Sequence, residues 1–171
     1  RGLVIGDPSL FDSRPGGPSS GFAPDIPDIG GQLAGLTYDH GATAGGLSPG
    51  AFAARELILT MRAAHIPSQA ATFTARTPPD ARTLAVARSA PLSVLLRLMD
   101  VPSDDFFAEM LTKQLGVRYA GQGSTAAGTG VVSAGMRHYG LHPAIVDGSG
   151  LSRDDRSSPR AVSYTHLTLP T

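Results

Sequence analysis

A glycine-rich run at residues 41–46 divides this 171-residue sequence into two parts of unlike character. Before it the chain shows no helical period. Residues 2–6 are a short apolar run closed by Gly6, Asp7 and Pro8, which reads as a strand and turn. Residues 11–31 are rich in Pro, Gly, Ser and Asp and read as a long surface loop. Residues 33–38 have the composition of a second strand, closed by Asp39, His40 and Gly41.

After the glycines, helical signals take over. Ser48 can cap a helix whose first residue is Pro49, because proline has no N–H to leave unpaired there. Ala53, Leu57 and Met61 recur at four-residue spacing, with Ala54 and Ile58 beside them. This predicts a helix over residues 49–64 with one apolar face, stopped by Pro67. Residues 71–75 and 83–87 read as strands flanking the turn at Pro78, Pro79 and Asp80. Residues 91–99 are nearly all apolar, which predicts a helix buried on most sides. Further helices are expected over 102–115, ended by Gly116, and over 124–139, ended by Gly140. Residues 144–146 form a short strand leading into a loop at 147–155. The fold class is therefore α/β in the broad, α+β sense. The boundary falls in the glycine run, giving units at 1–46 and 47–161.

Composition narrows the function. A hydrophobic content of 41% is globular, and a formal net charge of zero gives no reason to expect nucleic acid as a partner. No apolar run is long enough to span a bilayer. Without cysteine there is neither a disulfide framework nor a thiolate metal site. His40, His65, His138 and His142 are scattered without metal-ligand partners, so their default roles are surface or packing, and no metal or organic cofactor is expected. Gly121, Gln122 and Gly123 lack the rest of a phosphate loop and read as the approach to a helix.

Two blocks carry chemistry. The first is Ser103, Asp104, Asp105, Phe106, Phe107, Ala108 and Glu109. Taken locally it is a helix N-terminus, with Ser103 as cap and the acids complementing the helix dipole. Glu109 reads first as a buried structural carboxylate or an exposed partner of Lys113 one turn on, and only second as a general base. The other block is Asp147, Gly148, Ser149, Gly150, Leu151, Ser152 and Arg153. It is not a G-x-S-x-G elbow, so Ser149 is not expected to be a nucleophile. Its glycines permit positive φ, and Asp147 and Arg153 can tie the turn, so Asp147, Gly148, Ser149, Gly150 and Arg153 read as structural residues near the site.

In order and separation, the two blocks resemble the S-D-N-x-x-A-E and D-G-S-G-L-S-R-x-N-R blocks of the D-Ala-D-Ala carboxypeptidase/endopeptidase family of class C low-molecular-mass penicillin-binding proteins. Three further segments agree. Residues 6–12 resemble a G-D-D-S-x-F-D block in an inserted domain, residues 89–99 resemble the approach to the second active-site motif, and residues 121–128 resemble a Gly-Ser loop and helix start. The sequence departs from the pattern at Asp105 and Asp155, where the family usually has Asn.

The resemblance implies part of a β-lactamase/transpeptidase-like fold, with residues 1–46 as the tail of an inserted β-rich domain and 47–161 as a partial transpeptidase domain. It implies a serine peptidase that cleaves D-Ala-D-Ala stem peptides of peptidoglycan through an acyl-enzyme, is acylated by β-lactams, and works in the periplasm or at the cell surface. Its nucleophile, in an S-x-x-K motif, and its K-T-G motif do not occur in this sequence. The chain is therefore expected to be a fragment, inactive alone, that supplies Ser103 and Asp105 to the catalytic centre. A catalytically silent peptidoglycan-binding scaffold and a β-lactamase- or esterase-like hydrolase are the alternatives. Residues 162–171 match one reading frame of a transposon-end sequencing adaptor and are expected to be an artefact rather than part of the fold; the alternative is a natural C-terminal strand.

Overall fold

The computed structural model describes residues 2–168. Strands β1 (Gly2–Gly6) and β2 (Ser68–Thr74) pair in parallel, with Gly2 opposite Ser68 and a register shift between Val4 and Gly6. Parallel neighbours need a crossover between them. Helix α2 (Pro49–Ala63) supplies it and packs on both strands. The helix begins after Ser48 with Pro49 in its first turn, as the sequence predicts. Its buried face is Ala51, Phe52, Ala54 and Ile58, whereas Leu57 is exposed. A two-stranded sheet is narrow, so it covers a narrower stripe than the apolar spacing suggested.

The second layer is helical. Helix α1 (Ile26–Ile29) is a single turn within the long loop. Helices α3 (Leu92–Asp100), α4 (Asp105–Ala120), α5 (Thr125–His138) and α6 (Pro159–Thr168) follow. Ile29, Leu33 and Phe106 form a buried apolar cluster, with Met110 and Leu151 packed against it. Helices α4 and α5 approach closely at Gly128, where an added Cβ would lie 1.9 Å from the Thr112 carbonyl oxygen. No larger residue fits there without separating the helices.

The architecture is a mixed one of helices with a small parallel sheet, compatible with the α+β expectation. Several local expectations are corrected. Residues 33–38 are not a strand: Leu33 N–H donates to the Pro15 carbonyl, a loop partner rather than a ladder. Residues 83–87 are likewise irregular and exposed, because among the described residues no strand lies alongside to satisfy their backbone. Residues 144–146 contribute one antiparallel bridge, Ala144 to Arg156, rather than a strand. Helix α4 does not end at Gly116 but at Gly121, which has φ of 69° and donates to the Gly116 carbonyl. Gly116 is tolerated inside the helix because α5 presses on it; an added Cβ there would be 3.0 Å from Gly128 N. Helix α3 is not buried on most sides. Leu92, Val94, Leu96 and Leu98 are exposed, since among the described elements α3 touches only α4. The described part of residues 162–171 belongs to helix α6 rather than a strand, and residues 169–171 lie outside the described residues.

A buried lysine joins the first part of the chain to the helical layer. Lys113, fully buried on α4, donates to Asp12 Oδ1 at 2.5 Å and to the Arg14 carbonyl at 3.4 Å. The side chain of Asp12 is 30% exposed against 1% for Lys113. The two losses are therefore unequal. Asp12→Ala leaves a buried ammonium without its anion and is expected to cost about 3 kcal/mol or more, whereas Lys113→Met leaves a carboxylate that reaches water and is expected to cost less. Urea unfolding of the two variants checks the order.

Candidate active site

The site is built where α3 turns into α4. Asp104 N–H donates to the Met99 carbonyl at 2.8 Å, and Ser103 between them has φ of 58°. This is the bond and the left-handed residue of a Schellman-type helix end, a position glycine usually fills. Asp104 then caps α4, its Oδ1 accepting from Phe107 N–H at 2.9 Å. The cap is thus Asp104, not Ser103 as the sequence suggested. Ser103 is displaced to the turn before it, where its side chain is exposed and free of the capping bond.

Asp105 opens α4 and is partly buried. Burial raises its carboxyl pKa, helped by the negative charges of Asp104, Glu109 and Asp28. Asp105, Ser103, Asp104, Asp100, Gly148 and Ser149 line one open cavity of about 210 Å³. The two sequence blocks therefore meet at one place. A larger cavity of about 450 Å³, bordered by His142, Arg156 and Arg160, includes none of these residues.

Glu109 makes that meeting possible. It is fully buried on α4, one turn beyond Asp105. Its Oε1 accepts from Gly148 N–H at 2.9 Å, Ser149 N–H at 3.1 Å and Ser149 Oγ–H at 2.9 Å. Its Oε2 accepts from Thr125 Oγ1–H of α5 at 3.4 Å. Of the sequence readings, the buried structural carboxylate is the one found, and the Lys113 partner is Asp12 instead. Gly148 lets the loop come this close: a Cβ there would lie 2.2 Å from Thr112 Oγ1 and 2.7 Å from the Ala108 carbonyl oxygen.

Asp147 ties the rest of the loop, accepting from Gly150 N–H at 2.7 Å and Ser152 N–H at 2.6 Å. Gly150 has φ of 79°, as the sequence allowed. Arg153 takes no part. It is exposed, and among the described residues its side chain makes no bond to Asp147. Asp155 does take part: its Oδ1 accepts from Val146 N–H at 2.6 Å, and its carboxyl acts on that of Asp147. Two neighbouring carboxyl groups ionise less readily together than either does alone. Burial first, then Asp155, pushes the Asp147 pKa up to about 6.

His40 is the one residue near the site that sequence reasoning left as surface or packing. Its Nε2–H donates to Asp104 Oδ2 at 2.9 Å, across 64 positions of sequence. No local pattern signals a contact of that separation. Among the described residues, no cluster of three or more His, Cys, Asp or Glu is placed to hold a metal ion. No described helix is long and apolar enough to cross a membrane.

A family model for the D-Ala-D-Ala carboxypeptidase 3 (S13) family matches residues 28–166. The chain belongs to this family. No curated protein sequence matches it. The family match makes the general chemistry peptidase hydrolysis of the D-Ala-D-Ala carboxypeptidase kind, which acts on peptidoglycan peptides. The matched span includes both blocks that line the cavity.

Two expectations follow from the geometry. Glu109→Ala leaves several buried donors without an acceptor. It should destabilise the chain by about 3 kcal/mol and speed hydrogen exchange at Gly148 and Ser149 more than at β2. The second concerns pH. Asp147 titrates near 6 folded against an unfolded value of 3.8, so the native state takes up its proton first as pH falls. Its contribution to stability grows from about pH 7 to pH 4 and is lost as pH rises through 6. Asp155→Asn removes the neighbouring carboxyl and should reduce that slope, leaving the part due to burial, while raising the melting temperature at neutral pH. Thermal melts of both proteins across pH 4–8 measure this.

Proposed function

We propose that this chain is the part of a serine-type D-Ala-D-Ala carboxypeptidase/endopeptidase that carries the second active-site motif, in an enzyme of the periplasm or cell surface that cleaves peptidoglycan stem peptides and is acylated by β-lactams. The observation that carries this reading is the convergence of Ser103, Asp105, Gly148 and Ser149 on one cavity. The nucleophilic serine and the K-T-G strand belong, in this reading, to segments outside the 171 residues, so the chain alone does not hydrolyse peptides. Residues 162–171 remain proposed as adaptor-derived, although the family match runs to residue 166, and resequencing the source DNA decides it.

In the reaction, the nucleophilic Oγ attacks the penultimate D-Ala carbonyl and the C–N bond breaks. The departing D-alanine nitrogen takes a proton relayed through the Ser103 hydroxyl, which both donates and accepts. Water then attacks the ester, releasing the shortened peptide and restoring the serine. β-Lactams acylate the same serine by opening of the lactam ring.

Asp105 stands where the motif carries a carboxamide. An ionised carboxylate holds the motif lysine through a charge-assisted bond but cannot donate to the substrate carbonyl, and it repels that oxygen. A protonated carboxyl has one donor, and the raised pKa of Asp105 lets that form appear at a higher pH than for an ordinary carboxyl. This residue is also the one feature that supports a silent wall-binding scaffold as the second reading.

The test uses the intact enzyme and a fluorescent penicillin. Wild type should be acylated, and Asp105→Asn should react faster at neutral pH. The gap should narrow as pH falls, because acid restores a donor to Asp105. An intact protein with no acylation at any pH supports the scaffold, and equal rates for both proteins refute the role given to Asp105.

A further inference from the structure

His40 reaches the site from the segment before the glycine run. Its ring nitrogen takes Asp104 Oδ2 at 2.9 Å while Phe107 N–H takes Oδ1 at 2.9 Å. Both oxygens of the capping carboxylate are thus held from different parts of the chain, which restrains its plane. The imidazole, 47% exposed, lies against two rings of α4, with centroids 5.2 Å from Phe106 and 5.6 Å from Phe107. Its backbone lies hard against Gly31, where an added Cβ would be 1.6 Å from the His40 carbonyl oxygen. Asp39 and His40 are both left-handed, with φ of 46° and 51°. Two successive non-glycine residues in that region are unfavourable unless the surroundings impose them. Ser103, immediately before the held carboxylate, is left-handed as well.

We propose that His40 is a positioning residue of the active site, acting through the Asp104 carboxylate to hold Ser103 and Asp105 at the cavity. It touches no reacting atom. Fixing Asp104 fixes the backbone on either side of it, which carries the Ser103 hydroxyl before and the Asp105 carboxyl after. Loss of the bond lets the cap rotate and the Ser103 turn relax toward ordinary φ. A hydroxyl that relays a proton depends on placement within a fraction of an ångström. The role in catalysis rests on the peptidase reading given above, whereas the contact itself does not.

Two variants separate the hydrogen bond from the packing. His40→Phe keeps an aromatic ring beside Phe106 and Phe107 and removes the donor. His40→Gln keeps a donor at the position of Nε2. In the 171-residue chain, the amide resonances of Ser103 and Phe107 should shift in His40→Phe and stay near wild type in His40→Gln, with the resonances of β1 and β2 unmoved in both. In the intact enzyme, His40→Phe should lower the acylation rate constant for a penicillin by about tenfold without weakening the initial non-covalent complex, and His40→Gln should recover most of it. Unmoved amides in His40→Phe overturn the contact. Shifted amides with an unchanged acylation rate, or a loss that His40→Gln does not recover, overturn the positioning role. A wild-type enzyme that takes up no penicillin overturns the peptidase reading and the catalytic role with it, while the amide shifts still judge the contact.

Discussion

The buried carboxylate of Glu109 is the interaction around which the site is arranged. A charge placed in a protein interior is costly unless hydrogen bonds replace its water. Glu109 recovers them from Gly148, Ser149 and Thr125. That requirement draws the loop after residue 146 onto the face of α4 and fixes the start of α5 beside it. The cavity next to Ser103 has its second wall for this reason. The same logic acts on Lys113, whose ammonium draws Asp12 and Arg14 from the first part of the chain onto α4. One helix, two buried charges one turn apart, and three segments of chain are thereby held together.

Close backbone contact is the other constraint. Gly148 lies against Ala108 and Thr112, and Gly128 lies against Thr112, so the loop and α5 both use the same short stretch of α4. A carboxylate on a helix can reach loop N–H groups only if nothing stands between them. Small residues on the loop and charge on the helix are therefore one device. The apolar cluster of Ile29, Leu33 and Phe106 lies beneath it, and Leu151 anchors the far end of the loop there.

Much of the site was legible before the structure. The Ser103 and Asp147 blocks announced themselves by residue type and order, and the resemblance they carry agrees with the family match. A buried structural carboxylate is one of the two first readings that the sequence allows for Glu109, and it is the one found. The position of Gly150 at positive φ was foreseen from glycine itself. What was misjudged shares one cause. The Asp104 cap, the Arg153 tie and the Lys113 partner were each assigned to the nearest residue of suitable chemistry. The chain instead used residues brought in from elsewhere, or shifted the assignment by one position to satisfy a helix end. Strands at 33–38 and 83–87 failed in the same way, since strand composition creates no partner strand.

The sequence by itself determined the local elements that rest on short-range chemistry. Helix α2 begins at Ser48 and Pro49, helix α5 begins with Ser124 capping Ala127 N–H, and the chain turns at Gly140 and Gly150, because caps and left-handed positions depend on one or two residues. It also singled out the two blocks whose residues line the cavity. Folding alone placed those blocks at one cavity, joined them through Glu109, set Asp155 beside Asp147 and brought His40 to Asp104. Those contacts join residues 8 to 64 positions apart, and their geometry depends on how α4 lies against the loop, α5 and the first part of the chain. Spacing along a chain encodes the period of a helix or strand. It does not encode which distant donor a buried carboxylate will find, because that is fixed by packing and the demand that no buried charge go without partners.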